Sequence, residues 1–193
     1  MKFLIKIILT LGFALVLGVG SVWFLLANPD LIRMSSLSNG PWITSLTYGN
    51  KDAGMYEKAG VARAGLFALN KTETIYFSAM DDSNGEPLNS KNRYRIEGAD
   101  AETRWWSITV YGEDHFLIPN QHNRWAYSVN NVKREADNGF IIHLSKDSVA
   151  GNWLPLGDDE QGISVTLRLY NPAPSVYENL GTIQLPRIIK EEK

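Results

Sequence analysis

The chain has 193 residues, of which 44% are hydrophobic and 21% are charged, a composition typical of one globular domain with a short appendage. It contains no cysteine, which excludes disulfides, thiolate metal sites and cysteine-linked lipids. With a formal charge of -2, it lacks the net positive charge typical of proteins that bind DNA or RNA, so we expect no nucleic-acid partner.

An uncharged apolar stretch, residues 7–27, lies near the start of the chain and follows Lys2 and Lys6. About 20 apolar residues cross the hydrocarbon core of a bilayer, whereas the apolar part of a signal peptide has only about 7–15. Residues 1–27 are therefore predicted to be an uncleaved transmembrane signal anchor that contacts the lipid bilayer through residues 7–27. The alternative is a signal peptide that is cleaved near Ser21 or Ala27, although Val19 or Leu25 then occupies the upstream position that requires a small residue.

The charged residues beside this apolar stretch predict its orientation in the membrane. Basic residues stay on the cytoplasmic side, so Lys2 and Lys6 place the N-terminus in the cytoplasm and the rest of the chain outside. Since the chain has neither cysteine nor a eukaryotic retention signal, we expect a single-pass protein of the bacterial inner membrane. Its C-terminal domain would then lie in the periplasm.

Residues 28–50 are rich in Ser, Asn, Gly and Pro, which predicts a linker or extended arm that Trp42 pins to the domain. Asp52 then caps a predicted helix over residues 53–69. The apolar residues on one face of this helix have helical spacing: Met55, Ala59, Ala62, Leu66 and Leu69. We expect the helix to pack on one end or face of a β-domain that occupies residues 51–193.

The central stretch of that domain is WWSITVYGEDHFLIPN, residues 105–120. Its aromatic and β-branched residues predict a strand over residues 105–111, followed by a turn and a second strand over residues 115–118. Side chains alternate between the two faces of a strand. The predicted core face has Trp106, Ile108 and Val110, and the opposite face has Trp105, Ser107, Thr109 and Tyr111.

Further strands are predicted by the same alternation over residues 74–79, 92–97, 126–129, 140–144, 164–170 and 182–185. Their core-facing residues include Tyr94, Ile96, Phe140, Ile142, Leu144, Val165, Leu167 and Leu169. Asn138-Gly139 is a turn signal, and residues 190–193 read as a frayed charged tail. The fold predicted is mainly β, an antiparallel sandwich of jelly-roll type with one packed helix, preceded by a transmembrane helix.

In the motif NWLP, residues 152–155, Trp153 and Leu154 lie between a Gly-Asn turn and a proline, so we expect an irregular backbone with large, buried apolar side chains. A tryptophan truncated to alanine in a core costs about 3–5 kcal/mol. The sequence therefore predicts that Trp153→Ala destabilises the domain more than Trp42→Ala, which would release only the arm.

Six short motifs follow one another along the chain: RAGLFAL (63–69), ETIYFSAMDDSNGEPL (73–88), YRIEG (94–98), the central stretch, NWLP and TLRLYNP (166–172). In this order they resemble the domain-of-unknown-function family 1214 over about residues 42–186. The resemblance implies a β-sandwich, jelly-roll-like domain of bacterial proteins. It implies no established activity, cofactor or catalytic residue. Family members commonly have another domain before this one, where this chain has the predicted anchor.

No arrangement of residues predicts catalysis or a cofactor. His115, His122 and His143 lie on separate strands or turns without the spacing of a metal site, so we expect no metal. Ser107, Asp114 and His115 have the residue types of a serine hydrolase triad, but neighbours on a hairpin rarely reach that geometry.

The outward face of the predicted sheet combines aromatic, arginine and hydroxyl side chains. Aromatic rings stack on the apolar faces of sugars or lipids, and arginine or threonine bonds to hydroxyls and carboxylates. The candidate ligand-binding residues are Arg95, Trp105, Thr109, Tyr111, Arg168 and Tyr170. We expect a non-catalytic domain that binds a glycan, a lipid or an envelope partner. The alternatives are an envelope hydrolase acting on a sugar or ester, a structural or assembly module of a membrane complex, or a face covered by the helix, the arm or the second sheet.

Overall fold

The computed structural model describes residues 2–28, 36–47, 49–51, 53–63 and 68–192. Its helices are α1 (Lys2–Ala27), α2 (Met55–Arg63) and α3 (Pro174–Glu178). Its strands are β1 (Leu37–Asn39), β2 (Trp42–Thr44), β3 (Thr74–Ala79), β4 (Arg93–Gly98), β5 (Thr103–Gly112), β6 (Ala126–Ser128), β7 (Phe140–Ser145), β8 (Asn152–Pro155), β9 (Ile163–Pro172) and β10 (Arg187–Glu191).

The described strands form two sheets. The larger has the order β1-β2-β3-β9-β5-β6, and every neighbouring pair in it is antiparallel. The smaller has the order β10-β4-β7-β8, and its β7–β8 pair is parallel. The prediction of a mainly β fold with antiparallel-rich sheets is confirmed.

The hydrophobic core lies between the two sheets. Trp106 of β5 stacks on Phe140 of β7 with ring centroids 4.8 Å apart, so the sheets face one another as in a sandwich. The residues predicted from alternation to face the core are buried: Tyr94, Ile96, Trp106, Ile108, Val110, Phe140, Ile142, Leu144, Val165, Leu167 and Leu169. Each such side chain stabilises the fold by about 1.5–3 kcal/mol, so this contiguous cluster is the main source of stability.

The segment predicted as a linker, residues 28–50, contains two strands in its described part. β1 and β2 form an antiparallel hairpin, and β2 pairs with β3 to extend the larger sheet. Trp42 is 1% exposed within the core, and its Nε1–H donates to the carbonyl of Pro186 at 2.7 Å. The turn of the hairpin needs Gly40, which has φ +58, and such turn residues give the segment its loop-like composition.

The helix predicted over residues 53–69 is shorter and packs differently. It covers Met55–Arg63, and both the predicted cap Asp52 and Leu66 lie outside the described residues. Met55 is 83% exposed, and Leu69 is 40% exposed and lies beyond the helix. Met55 and Leu69 of the predicted apolar stripe are therefore not packed against a sheet. The helix that does pack on the domain is α3, whose Val176 is buried in the core.

α1 is long and apolar enough to cross a membrane. The stretch Lys2–Leu25 has a mean hydropathy of 2.4, and none of it is buried against the rest of the chain. A signal sequence near the N-terminus can pass the same test of length and composition. Near its C-terminal end α1 contacts α2, where Ser21 Oγ lies 3.2 Å from the Tyr56 hydroxyl.

Two predictions about strands near turns are corrected. Residues 115–118 form no strand, because His115 has φ +66 and only an isolated bridge joins Leu117 to Tyr111. Residues 152–155 have a regular backbone instead of an irregular one, since β8 pairs with β7 in parallel. The burial predicted for their side chains is confirmed. The predicted turn at Asn138-Gly139 is also confirmed, with φ +64 at Asn138.

The C-terminal end of the chain also differs from the prediction. Residues 182–185 form no strand, because the amides of Thr182 and Ile183 both donate to the carbonyl of Asn179 and continue the turn after α3. The last strand is β10, which pairs with β4. Lys190 and Glu191 are therefore part of a sheet and not of a frayed tail.

Candidate functional site

The side of the larger sheet that faces away from the core brings most of the predicted site residues together. In the pairing of β5 with β9, Trp105 lies opposite Tyr170, and Ser107 lies opposite Arg168. The Trp105 and Tyr170 rings meet edge to face with centroids 5.0 Å apart. Five of the predicted residues share this surface: Trp105, Thr109, Tyr111, Arg168 and Tyr170.

Arg168 lies at the centre of this surface. Its Nη1 donates to Thr109 Oγ1 at 3.0 Å, and its Nη2 donates to the Tyr111 hydroxyl at 2.6 Å. The guanidinium carbon is 5.6 Å from the centroid of the Tyr111 ring and 5.9 Å from that of Tyr76. Within the described part of the chain, Arg168 forms no ion pair with a carboxylate. Among the described residues, the groups that contact this positive charge are therefore neutral.

An open groove of about 650 Å³ lies over Arg168. Side chains from β5 and β9 line it: Ser107, Thr109, Tyr111, Arg168 and Tyr170. The facing wall comes from the segment between β5 and β6: Leu117, His122, Asn123, Arg124 and Trp125. The described residues that line this groove include no aspartate or glutamate.

The wall is fixed by contacts at both of its ends. The Trp125 Nε1–H donates to the carbonyl of Ile118 at 2.7 Å, which closes the segment on itself. His122 meets the ring of Trp153 edge to face at 4.9 Å, and Arg124 Nη1 donates to the carbonyl of Trp153 at 3.4 Å. Trp153 belongs to β8, so the smaller sheet supports the wall of a groove that lies on the larger sheet.

Arg95 does not lie in the groove, which corrects its grouping with the other five residues. It belongs to β4 of the smaller sheet, where its Nε donates to Glu97 Oε1 at 2.5 Å. Its Nη1 lies 4.0 Å from Glu191 Oε1, and His143 Nδ1 lies 3.6 Å from the same oxygen. Arg95 thus lies beside the two carboxylates of Glu97 and Glu191, whereas the described partners of Arg168 are hydroxyl groups.

The residues near Arg168 that were not predicted as site residues include Tyr76, whose ring centroid lies 5.9 Å from the guanidinium carbon, and three that line the groove, His122, Arg124 and Trp125. Tyr76 was recognisable in principle, because it alternates with the core residues Ile75 and Phe77 of β3. The other three lie on an irregular segment, where no periodicity assigns a direction to a side chain. Only the fold back onto Trp153 places them beside Arg168.

The histidines and the serine triad considered above are not assembled. His115 is exposed, and the neighbouring Asp114 Oδ1 accepts a hydrogen bond from the backbone amide of Phe116. Ser107 is buried at the base of the groove, which neither of them lines. Among the described residues, no group of three or more histidine or acidic side chains is placed to hold a metal ion.

A second depression of about 490 Å³ lies on the other side of the wall and shares His122 with the groove. Lys146 and Asp158 line it, with Nζ and Oδ1 2.8 Å apart. The hydrogen bond between them raises the pKa of Lys146 and lowers the pKa of Asp158. Because the two charges compensate each other and are fully exposed, this depression is a weaker candidate site than the groove.

Comparison with known proteins identifies a family and several similar solved structures. A family model described as "Protein of unknown function (DUF1214)" matches residues 73–174. The crystal structure of the VPA0106 protein from Vibrio parahaemolyticus is similar with a TM-score of 0.60 and 23% identity, over 91% of this chain and 43% of that chain. That of an uncharacterized protein from Burkholderia cenocepacia has a TM-score of 0.46 and 13% identity, over 92% of this chain and 52% of that chain. No curated protein matches.

The matched family region covers β3 to β9 and therefore both strands beneath the groove. The likeness to the Vibrio protein shows a shared fold and nothing about activity. The chain spans less than half of that protein's length.

Proposed function

We propose that this chain, which belongs to the DUF1214 family whose description gives no function, is a membrane-anchored domain. We further propose that it binds a glycan or lipid of the cell envelope without transforming it. The observation that carries this proposal is the groove over Arg168. Tyrosine and tryptophan rings line it beside serine and threonine hydroxyls and asparagine amides. Such rings stack on the apolar faces of sugars or on lipid chains, and the polar groups direct hydrogen bonds to hydroxyls.

Binding is favoured over hydrolysis by the ionisable groups of the groove. Hydrolysis of a sugar or an ester needs an acid and a base within hydrogen-bond reach of the reacting bond. His122 is the histidine in the groove, and its ring packs on Trp153 rather than beside a carboxylate. The described lining provides two arginines and two tyrosines, which orient a ligand but supply no acid and base pair.

The proposed location is the bacterial inner membrane, with the domain in the periplasm. α1 has the length and hydropathy of a membrane span, and Lys2 and Lys6 precede its most apolar part. Basic flanks favour the cytoplasmic side, which would expose the groove to the glycans and lipids of the envelope.

The proposal is tested with the full chain in a nonionic detergent on arrays of envelope glycans and lipids. We expect binding above background that falls when Tyr170→Ala or Trp125→Ala removes a ring from the groove. Phe116→Ala is a matched control, because Phe116 is an exposed aromatic residue close to the wall that does not line the groove. Absence of binding to every probe, or equal binding by all three variants and the wild type, would contradict the proposal.

A further inference from the structure

The charge of the groove differs from that of the whole chain. The chain has a formal charge of -2, yet the described lining of the groove contains Arg124 and Arg168 and no acidic residue. A concave surface with charges of one sign concentrates ligands of the opposite sign. The groove is therefore electrostatically suited to an anion.

Among the described residues, no carboxylate pairs with Arg168, although a half-buried arginine usually has such a partner. Arginine is rarely buried unless a carboxylate or phosphate pairs with it, and Arg168 is half-buried. Its hydrogen bonds go to the hydroxyl oxygens of Thr109 and Tyr111, which are neutral. Arg95 is half-buried too and has two carboxylates nearby, so this chain provides acidic partners elsewhere but not in the groove.

The contacts of Arg168 also orient donors for a ligand. Thr109 Oγ1 and the Tyr111 hydroxyl oxygen accept hydrogen bonds from Arg168, so each hydroxyl hydrogen is left to be donated to another acceptor. A guanidinium has five N–H donors, of which two are used here, and the others match the paired oxygens of a carboxylate or phosphate. Arg124 adds a second positive charge from the wall of the groove.

We propose that the ligand of the groove carries an anionic oxygen group, a carboxylate or a phosphate, and that this group binds Arg168 together with the Thr109 and Tyr111 hydroxyls. This inference rests on the proposed binding function and specifies its ligand class. The anionic group has two possible sources in an envelope, which are the uronic acid of a glycan and the phosphate of a lipid headgroup.

The experiment compares charged and neutral forms of each source by isothermal titration calorimetry with the full chain in a nonionic detergent. The glycan pair is oligogalacturonate and its neutral methyl ester, and the lipid pair is dihexanoyl phosphatidylglycerol and neutral dihexanoylglycerol. We expect the charged form of at least one pair to bind roughly tenfold or more tightly than its neutral form, since a charge-assisted hydrogen bond is the stronger kind. The pair that shows the difference identifies the source.

Three substitutions connect that preference to the groove. Arg168→Gln should weaken binding of the charged probe roughly tenfold or more and leave binding of the neutral probe within about twofold. Arg124→Gln, on the exposed wall, should weaken the charged probe as well, and it keeps the test valid if Arg168→Gln does not fold. Arg104→Gln is the matched control, because Arg104 is an exposed arginine of β5 that does not line the groove.

The outcomes separate this inference from the proposed function. Equal binding of the charged and neutral forms in both pairs would overturn the inference and leave the proposed function standing. A preference for the charged form that neither Arg168→Gln nor Arg124→Gln reduces would also overturn it. Failure of every probe to bind would count against both.

Discussion

Replacement of Trp42 by alanine tests whether the N-terminal arm is part of the folded core. Trp42 is 1% exposed and belongs to the cluster between the two sheets. Its Nε1–H donates to the carbonyl of Pro186, one residue before β10 of the smaller sheet. One side chain therefore connects the β1–β2 hairpin, the core and the other sheet.

The expected loss follows from these contacts. A tryptophan truncated to alanine in a core costs about 3–5 kcal/mol, and the unpaired carbonyl of Pro186 adds about 1 kcal/mol. Trp153 is 4% exposed but lies outside that cluster, on the side of β8 that His122 and Arg124 cover. That wall segment can close on the space left by Trp153→Ala, and the Ser145 carbonyl that loses the Trp153 Nε1–H still accepts a hydrogen bond from the amide of Leu156. We therefore expect a loss near the lower end, about 3 kcal/mol, and an order opposite to the one predicted from the sequence.

The measurement is urea unfolding of the full chain in a nonionic detergent, followed by far-ultraviolet circular dichroism and linear extrapolation. Trp42→Phe retains much of the ring packing but removes the N–H donor, so it separates the hydrogen bond from the burial. Leu37→Ala is a control on the same hairpin, because Leu37 is 47% exposed and should change the free energy of unfolding by less than about 0.5 kcal/mol.

The reasoning would be refuted if Trp42→Ala lowered the free energy of unfolding by no more than Leu37→Ala does, while Trp153→Ala lowered it by about 3 kcal/mol or more. The arm would then be peripheral to the fold.

The remaining predictions concern a buried amide, a tyrosine and the membrane segment. Asn152 is buried and forms hydrogen bonds with both the amide and the carbonyl of Lys133, so Asn152→Ala should lower the free energy of unfolding by about 2–4 kcal/mol; an unchanged urea midpoint would contradict this. Burial raises the pKa of Tyr177 above its ordinary value, and its hydroxyl donates to the carbonyl of Lys71 at 2.6 Å. Because the folded state has the higher pKa, this stabilisation is complete below about pH 10 and is lost as the pH rises through the folded pKa. Between about pH 8 and pH 11 the free energy of unfolding should therefore fall less for Tyr177→Phe than for the wild type. If the free energies of the two proteins fell in parallel with pH, this role of Tyr177 would be excluded. A reporter active only outside the cytoplasm should be active when fused after Lys193, and the chain should stay in membranes after a carbonate wash. A soluble, shortened product would show a cleaved signal peptide instead.

Local patterns in the sequence determined the faces of the main strands. Alternation in β5 and β9 separated Trp106, Ile108 and Leu167, which are buried in the core, from Arg168 and Tyr170, which are not. This succeeds because the side chains of a strand have a period of two residues, whatever strand lies beside it. The uncharged run of α1 is similarly visible in the sequence, since length and hydropathy are properties of the segment itself.

Pairing between distant segments was decided by the tertiary structure alone. β1 and β2 are short strands with turn-rich surroundings, and only their pairing with each other and with β3 makes them part of a sheet. β8 is a strand because β7 lies beside it in parallel, and β10 because β4 does. The pairing of β2 with β3 and of β10 with β4 joins residues far apart along the chain, so no local pattern records it.

The two arginines show the same distinction at the candidate site. From alternation, Arg95 and Arg168 are equivalent, since both face outward from predicted strands. The fold places Arg95 in the smaller sheet beside Glu97 and Glu191, and Arg168 in the larger sheet beside the hydroxyls of Thr109 and Tyr111. The residue type fixes a positive charge in both cases. Whether that charge is compensated depends on the side chains that other strands bring to it.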